Sequence, residues 1–160
     1  MRRIHALAVA VAAATLASAA SAAGTVQVNF VQPDRFADVR DAAYSRDANL
    51  DILKRHLEAA AAPYVADGAT LKIDVLDVDL AGEPSHRLRT QDVRVLRGRA
   101  DWPRIELRYS LEVPGEPVRA REATVKDMAY LQHGSTYGRS EPLSYERRML
   151  DEWFKAEFRK

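Results

Sequence analysis

From residue 104 to residue 113 polar and apolar side chains alternate without a break, with Ile105, Leu107, Tyr109, Leu111 and Val113 set against Arg104, Glu106, Arg108, Ser110 and Glu112. Successive side chains of a strand point to opposite faces, so this stretch is a half-buried strand. It obliges the rest of the chain to supply neighbours on both sides and a layer over its apolar face. Pro114, Gly115, Glu116 and Pro117 form a turn. Placing Val113 opposite Val118 sets Glu112 across from Arg119 and Leu111 across from Ala120, a hairpin in which charges and apolar groups both match. Val26, Val28 and Phe30 alternate with Thr25, Gln27 and Asn29 as a second clear strand that ends before Pro33, and a further strand is expected over residues 93–96.

The segment 71–83, LKIDVLDVDLAGE, breaks the alternation rule. Leu71, Ile73 and Val75 share one parity, whereas Leu76, Val78 and Leu80 share the other. A regular strand cannot place all six on one face. One bulge near Val75 and Leu76 restores them to the core side and leaves Lys72, Asp74, Asp77 and Asp79 on the other. The alternative is a central strand buried on both faces with Asp77 and Asp79 near its exposed end, and the bulge accounts for more residues.

Helices supply the covering layer. Asp47 is a capping residue, after which Leu50, Leu53, Leu57, Ala60 and Ala61 fall on one face at helical spacing until Pro63 stops the run. After Pro142, Tyr145, Met149, Leu150, Trp153, Phe154 and Phe158 give a final helix a heavily apolar face. Charges at i,i+4 spacing, Asp51 with Arg55, Arg147 with Asp151, Arg148 with Glu152 and Asp151 with Lys155, belong on the wet sides. Residues 33–44, the polar segment from Pro84 to Arg89 and residues 129–142 read as loops. The expected fold is α+β: a mostly antiparallel sheet of four to five strands with two main helices packed on one face.

Arg2 and Arg3, an apolar stretch from Ile4 to Leu16 and small residues up to Ala23 have the layout of a secretory signal peptide, with Ala20, Ser21 and Ala22 as an A-x-A cleavage pattern. The apolar stretch is too short to span a bilayer. The expected organisation is therefore a cleaved segment over residues 1–23 and a single domain over residues 24–160, periplasmic or secreted. Loss of Arg2 and Arg3 from 24 basic side chains leaves 22 against 23 acidic ones, a net charge of −1. That balance offers no field for nucleic acid. With no cysteine in the chain, no disulfide and no thiolate chemistry enter, and stability rests on packing.

Three groups of residues carry a resemblance: Asp77-Val78-Asp79-Leu80-Ala81-Gly82, Pro103-Arg104-Ile105-Glu106-Leu107, and the run from Tyr145 to Phe154, YERRMLDEWF. With Phe36-Ala37-Asp38-Val39-Arg40-Asp41 and Lys126-Asp127-Met128, they make the chain resemble the secreted bacterial domain of unknown function 3016 (DUF3016) over essentially all of the expected mature protein. The resemblance implies export and a single domain. It transfers no catalytic residue.

Chemistry is sparse. Asp74, Asp77 and Asp79 are acids that a hard cation such as calcium would take, because carboxylates gathered on one exposed face otherwise repel each other. The EF-hand pattern fails, since Leu80 and Ala81 follow where a ligand and the turn glycine belong. The competing expectation pairs these acids with Arg94, Arg104 or Arg108 on neighbouring strands. His133 near Ser135 and Asp127 assembles the residue types of a hydrolytic triad without a GxSxG elbow. His56, on the first helix, is expected to be a hydrogen-bonded interfacial residue. Trp102, Tyr130 and Tyr137 lie in or beside loops, where aromatics stack on sugars or dock peptides. With Asp77, Asp79 and His133 they form the candidate binding set. No cofactor is indicated. The expectation is a non-enzymatic binding or interaction module of the cell envelope, its partner an envelope protein or glycan, with a divalent-cation protein or a hydrolase as alternatives. An exposed sheet edge or the aromatic final helix is where copies of the chain would associate.

Overall fold

The computed structural model describes residues 23–40, 44–85, 93–133, 137–138 and 141–159. The expected signal segment lies outside them up to residue 22. The element order is β1 (Thr25–Phe30), α1 (Arg46–Ala61), β2 (Thr70–Asp79), β3 (Glu83–Ser85), β4 (Val93–Val95), β5 (Arg104–Glu112), β6 (Arg119–Lys126) and α2 (Ser144–Phe158). Four strands form one sheet in the order β1-β2-β5-β6, and β3 with β4 make a separate two-stranded ribbon. The fold is α+β.

The sheet is mostly antiparallel, as expected: β2-β5 and β5-β6 are antiparallel, while β1 runs parallel to β2 because α1 carries the chain back across the sheet between them, so the sheet is mixed. Two local expectations are corrected. First, β4 pairs with Glu83–Ser85, a segment expected to be loop, and does not join the main sheet. Second, the β5-β6 hairpin is shifted by one residue: Leu111 opposes Arg119 and Ser110 opposes Ala120. A one-residue slip turns every side chain of a strand to the other face. The observed register sets Val125 against Ile105 and Ala123 against Leu107 on the core side, and Val125 is buried. Core burial outweighs the charge match of Glu112 with Arg119. The turn has Pro114 and then Gly115 at φ +81°, with Glu116 N–H donating to Val113 O at 3.0 Å, the positions that proline and glycine take in a type II turn.

The bulge in β2 is present, its register shifting between Val75 and Asp77. Leu71, Ile73, Val75, Val78 and Leu80 are buried, while Leu76 is the extra residue and lies only half-buried outside the core. Helix α1 is capped by Ser45 and not by Asp47, which lies two residues later inside the first turn, with Ser45 Oγ accepting from Ala48 N–H at 3.3 Å. Its Leu50, Leu53, Leu57 and Ala61 meet Met149, Leu150 and Phe154 of α2 over the apolar face of β2, β5 and β6.

The opposite face of the sheet carries ion pairs between and along its strands. Arg108 donates to Asp74 at 2.9 Å, Lys72 to Glu112 at 2.6 Å, and Arg104 reaches Asp77 at 3.1 Å and Asp79 at 3.8 Å on β2 and Glu106 at 2.6 Å on its own strand. Asp74 and Arg108 are direct partners across the ladder, as are Asp79 and Arg104.

Arg94 serves elsewhere than that face. Its Nε donates to Ala81 O at 2.9 Å, its Nη1 to Asp38 Oδ2 at 2.8 Å and Arg40 O at 2.7 Å, and its Nη2 to Leu80 O at 2.9 Å and Gly82 O at 2.6 Å. All five guanidinium N–H groups are used. The strap after β1, the end of β2 and the small ribbon are thereby fastened at one point.

Candidate functional site

Strand β6 is an edge: it pairs with β5, and among the described residues no strand lies on its other side. Asp127 N–H donates inward to Pro103 O at 3.3 Å. Alternation along an antiparallel ladder then turns the N–H and C=O groups of Thr124 and Lys126 outward. Helix α2 flanks this edge. Between the two runs an open trough of about 790 Å³, with Val125, Met149 and Trp153 as its apolar part and Lys126, Arg148 and Glu152 among its charges.

Asp127 sits at one end of the trough. It accepts from Ala129 N–H at 3.1 Å, from the Arg148 guanidinium, and from His133 Nδ1 at 3.2 Å. Asp127 and Arg148 are each only 10% exposed at the side chain, whereas His133 is 53% exposed. A carboxylate is an acceptor, so His133 Nδ1 carries a proton, and in the neutral ring Nε2 is the acceptor. The arrangement holds one imidazole in a fixed tautomer beside a groove that has both charges and apolar surface.

Residues 24–156 match the family model described as protein of unknown function, DUF3016. The chain belongs to that family. No curated protein matches this DUF3016 chain.

The candidate residues fall in separate places in the DUF3016 domain. His133 and Asp127 reach the trough; Ser135 lies outside the described residues. Asp74, Asp77 and Asp79 lie on the ionic face of the sheet. Hydrogen bonding to Arg108 holds the Asp74 carboxyl below its usual range, while burial pushes Asp79 up against the opposing pull of Arg104. Asp77 also accepts from Ala37 N–H at 2.8 Å, which spends its second oxygen. Among the described residues no group of three His, Cys, Asp or Glu side chains is placed to hold a metal ion.

The loop aromatics also separate. Tyr130 is 0% exposed, packed edge-on to Tyr145 with its hydroxyl donating to Asp101 at 3.0 Å, so it presents no surface to a ligand. Tyr137 donates to Asp151 at 2.7 Å beneath the Arg147 guanidinium, which lies 4.0 Å from its ring centre. The same Asp151 meets His56 Nε2 at 2.9 Å, which confirms His56 as a hydrogen-bonded residue between the helices. Trp102 is half-buried. Of the ion pairs expected on the helices, Asp51 with Arg55 forms at 2.7 Å. Arg147 instead meets Glu141 at 3.0 Å, and Arg148 turns to Asp127.

Two phenols report on this packing. Burial first, and then the Glu157 carboxylate, pushes Tyr109 up to about 12; burial, with Asp101 beside it, does the same for Tyr130. The folded state holds these protons more tightly than the unfolded chain, where tyrosine ionises near 10. Their stabilising contribution is therefore complete below pH 10 and is lost as pH rises through about 12. Absorbance at 295 nm is expected to show Tyr109 and Tyr130 ionising after the exposed phenols and together with alkaline unfolding. Ionisation of every tyrosine near pH 10 in a protein that stays folded would contradict this.

Proposed function

We propose that this domain is a non-enzymatic binding module of the cell envelope that takes an extended peptide segment of a partner protein along β6. The observation that carries the reading is the edge strand with outward backbone groups beside the α2 trough. A strand added to a free sheet edge gains main-chain hydrogen bonds, and its alternate side chains enter whatever groove lies above the edge. Here that groove offers Met149 and Trp153 as an apolar seat. Export is supported by the leader-like residues 1–23 and by a family match that starts at residue 24.

Hydrolysis through His133 fits less well. Asp127, which would orient the imidazole, is already held by Arg148 and by Ala129 N–H. A carboxylate so engaged stabilises an imidazolium less than one committed to the histidine alone.

Selection from a displayed library of random eight-residue peptides tests the reading. Binders enriched on the wild-type domain are expected to lose most of their affinity for Thr124→Pro. That substitution removes an outward N–H without breaking the β5-β6 ladder, since proline is tolerated on an edge strand where its nitrogen faces solvent. Unchanged melting of the variant confirms its fold. Failure to enrich any peptide, or binders indifferent to Thr124→Pro, would remove the proposal.

A further inference from the structure

The flank formed by β6 and α2 continues past Trp153. The helix runs so that its last turn lies beside the start of β6, and there a second cleft of about 210 Å³ opens, bordered by Tyr64, Leu111, Phe158 and three arginines, Arg119, Arg121 and Arg159. One carboxylate faces the three guanidiniums. Glu157 already accepts from Tyr109 and from Arg121 at 3.2 Å. Arg119 has Glu116 at 3.7 Å, with both side chains more than half exposed, a pair of little energetic weight. The side chains of Arg119 and Arg121 are 64% and 72% exposed, so a ligand can reach both.

Arg119, Arg121 and Val125 have the same parity and point to the helix side of the sheet. From Val125 at the first trough to Arg121 at the second is four residues, roughly 13 Å at about 3.3 Å per residue. A strand laid along β6 has the same rise, so its side chains four positions apart fall in the two clefts on one face.

We propose that the second cleft is the anion-binding end of the same track: it holds a carboxylate side chain of the bound peptide, four positions from the apolar side chain seated against Met149 and Trp153. This rests on the peptide-binding reading above. Charge complementarity selects the occupant. A second copy of the chain pairing antiparallel along β6 keeps residues of the same face opposite one another, and its helix-side residues Arg119, Arg121, Ala123 and Val125 bring no carboxylate to the cleft. An acidic peptide supplies one.

The test uses a strand-forming peptide of alternating Thr and Val, capped at both termini, with a central Leu and Glu four positions to either side, and its twin with Gln in place of both Glu. Calorimetric titration is expected to give roughly tenfold tighter binding of the Glu peptide, the effect of a carboxylate meeting two partly exposed guanidiniums. The preference should vanish in the double variant Arg119→Gln, Arg121→Gln, whose affinity for the Gln peptide and whose melting temperature stay as in the wild type. Equal binding of the two peptides to the wild type overturns the anionic end and leaves the groove reading standing. Binding of neither peptide overturns both. A Glu preference that survives in the double variant places the anion elsewhere and overturns the assignment. Sedimentation of the peptide-free protein completes the test: a dimer abolished by Thr124→Pro would mean that a second copy occupies the edge, again against the proposal.

Discussion

Arg94→Met is expected to lower stability by about 3–5 kcal/mol, the usual cost of removing one partner from a mostly buried charged pair. The Arg94 side chain is 12% exposed and its partner Asp38 23%. Its loss strands the Asp38 carboxylate and deprives the carbonyls of Arg40, Leu80, Ala81 and Gly82 of a donor at once. Methionine matches much of the side chain's length, so the loss reads the hydrogen bonds and charge more than the packed volume. Lysine keeps the charge but brings three donors from one atom, where the site uses five in a plane, and is expected to recover only a minor part. Denaturant unfolding followed by circular dichroism gives the numbers. A midpoint for Arg94→Met close to that of the wild type would mean that the strap and the ribbon are held by other contacts.

Phe154→Ala is the second large effect, expected to cost about 3–5 kcal/mol and to lower the melting temperature by roughly 10–20 °C. Phe154 is 0% exposed and lies where α2 meets the rest of the core. Its ring stacks on Tyr64 at 6.4 Å and touches Trp153 at 4.7 Å and Phe158 at 5.9 Å between centroids. The hole cannot close easily, because its walls belong to α1's exit turn, α2 and the sheet. A domain of this size has about 5–15 kcal/mol in all, so this one change removes a large share. Leu at the same position should restore most of the loss. A thermal shift of only a few degrees for the alanine variant would show that the aromatic cluster repacks around the gap.

Much of the fold could be read from the chain because burial writes its own pattern. The change of parity between Val75 and Val78 favoured a bulge over a strand buried on both faces, and a bulge is there. The outer acids of β2 were expected to meet arginines, and Asp74, Asp77 and Asp79 do so with Arg108 and Arg104. Direction and register were less legible. Nothing in Thr25–Phe30 distinguishes a parallel partner from an antiparallel one, since alternation reports faces only. At the hairpin, local charge matching suggested one register while the burial of Val125 several residues away fixed another.

The site was the least visible. His133 and Asp127 were candidates by residue type, and the structure brings them together. Arg148, Glu152 and Trp153 read as an ordinary amphipathic helix, because a groove exists only once the strand order leaves β6 at the edge. In the sequence Arg119 read only as the partner expected across from Glu112, and Arg121 carried no expectation. They face the helix side only in the observed register, so the slip of one residue is also what assembles the cationic cleft. Tyr130 misled in the other direction: a polar loop around it hides a fully buried ring.

The parallel pairing of β1 with β2 bears on the order in which the molecule assembles. β1 precedes every other described element, yet its described pairing is to a segment 45 residues further on, as Asn29 and Asp74 show. Through that interval Val26, Val28 and Phe30 have no sheet to join, and the loop that must close around α1 carries the largest entropic cost of the strand pairings among the described residues. The β5-β6 hairpin, closed by a short turn, has no such delay. The first of the described strands is thus placed to be among the last to find its seat, and its alternating hydrophobic residues are the ones a chaperone would have reason to shield.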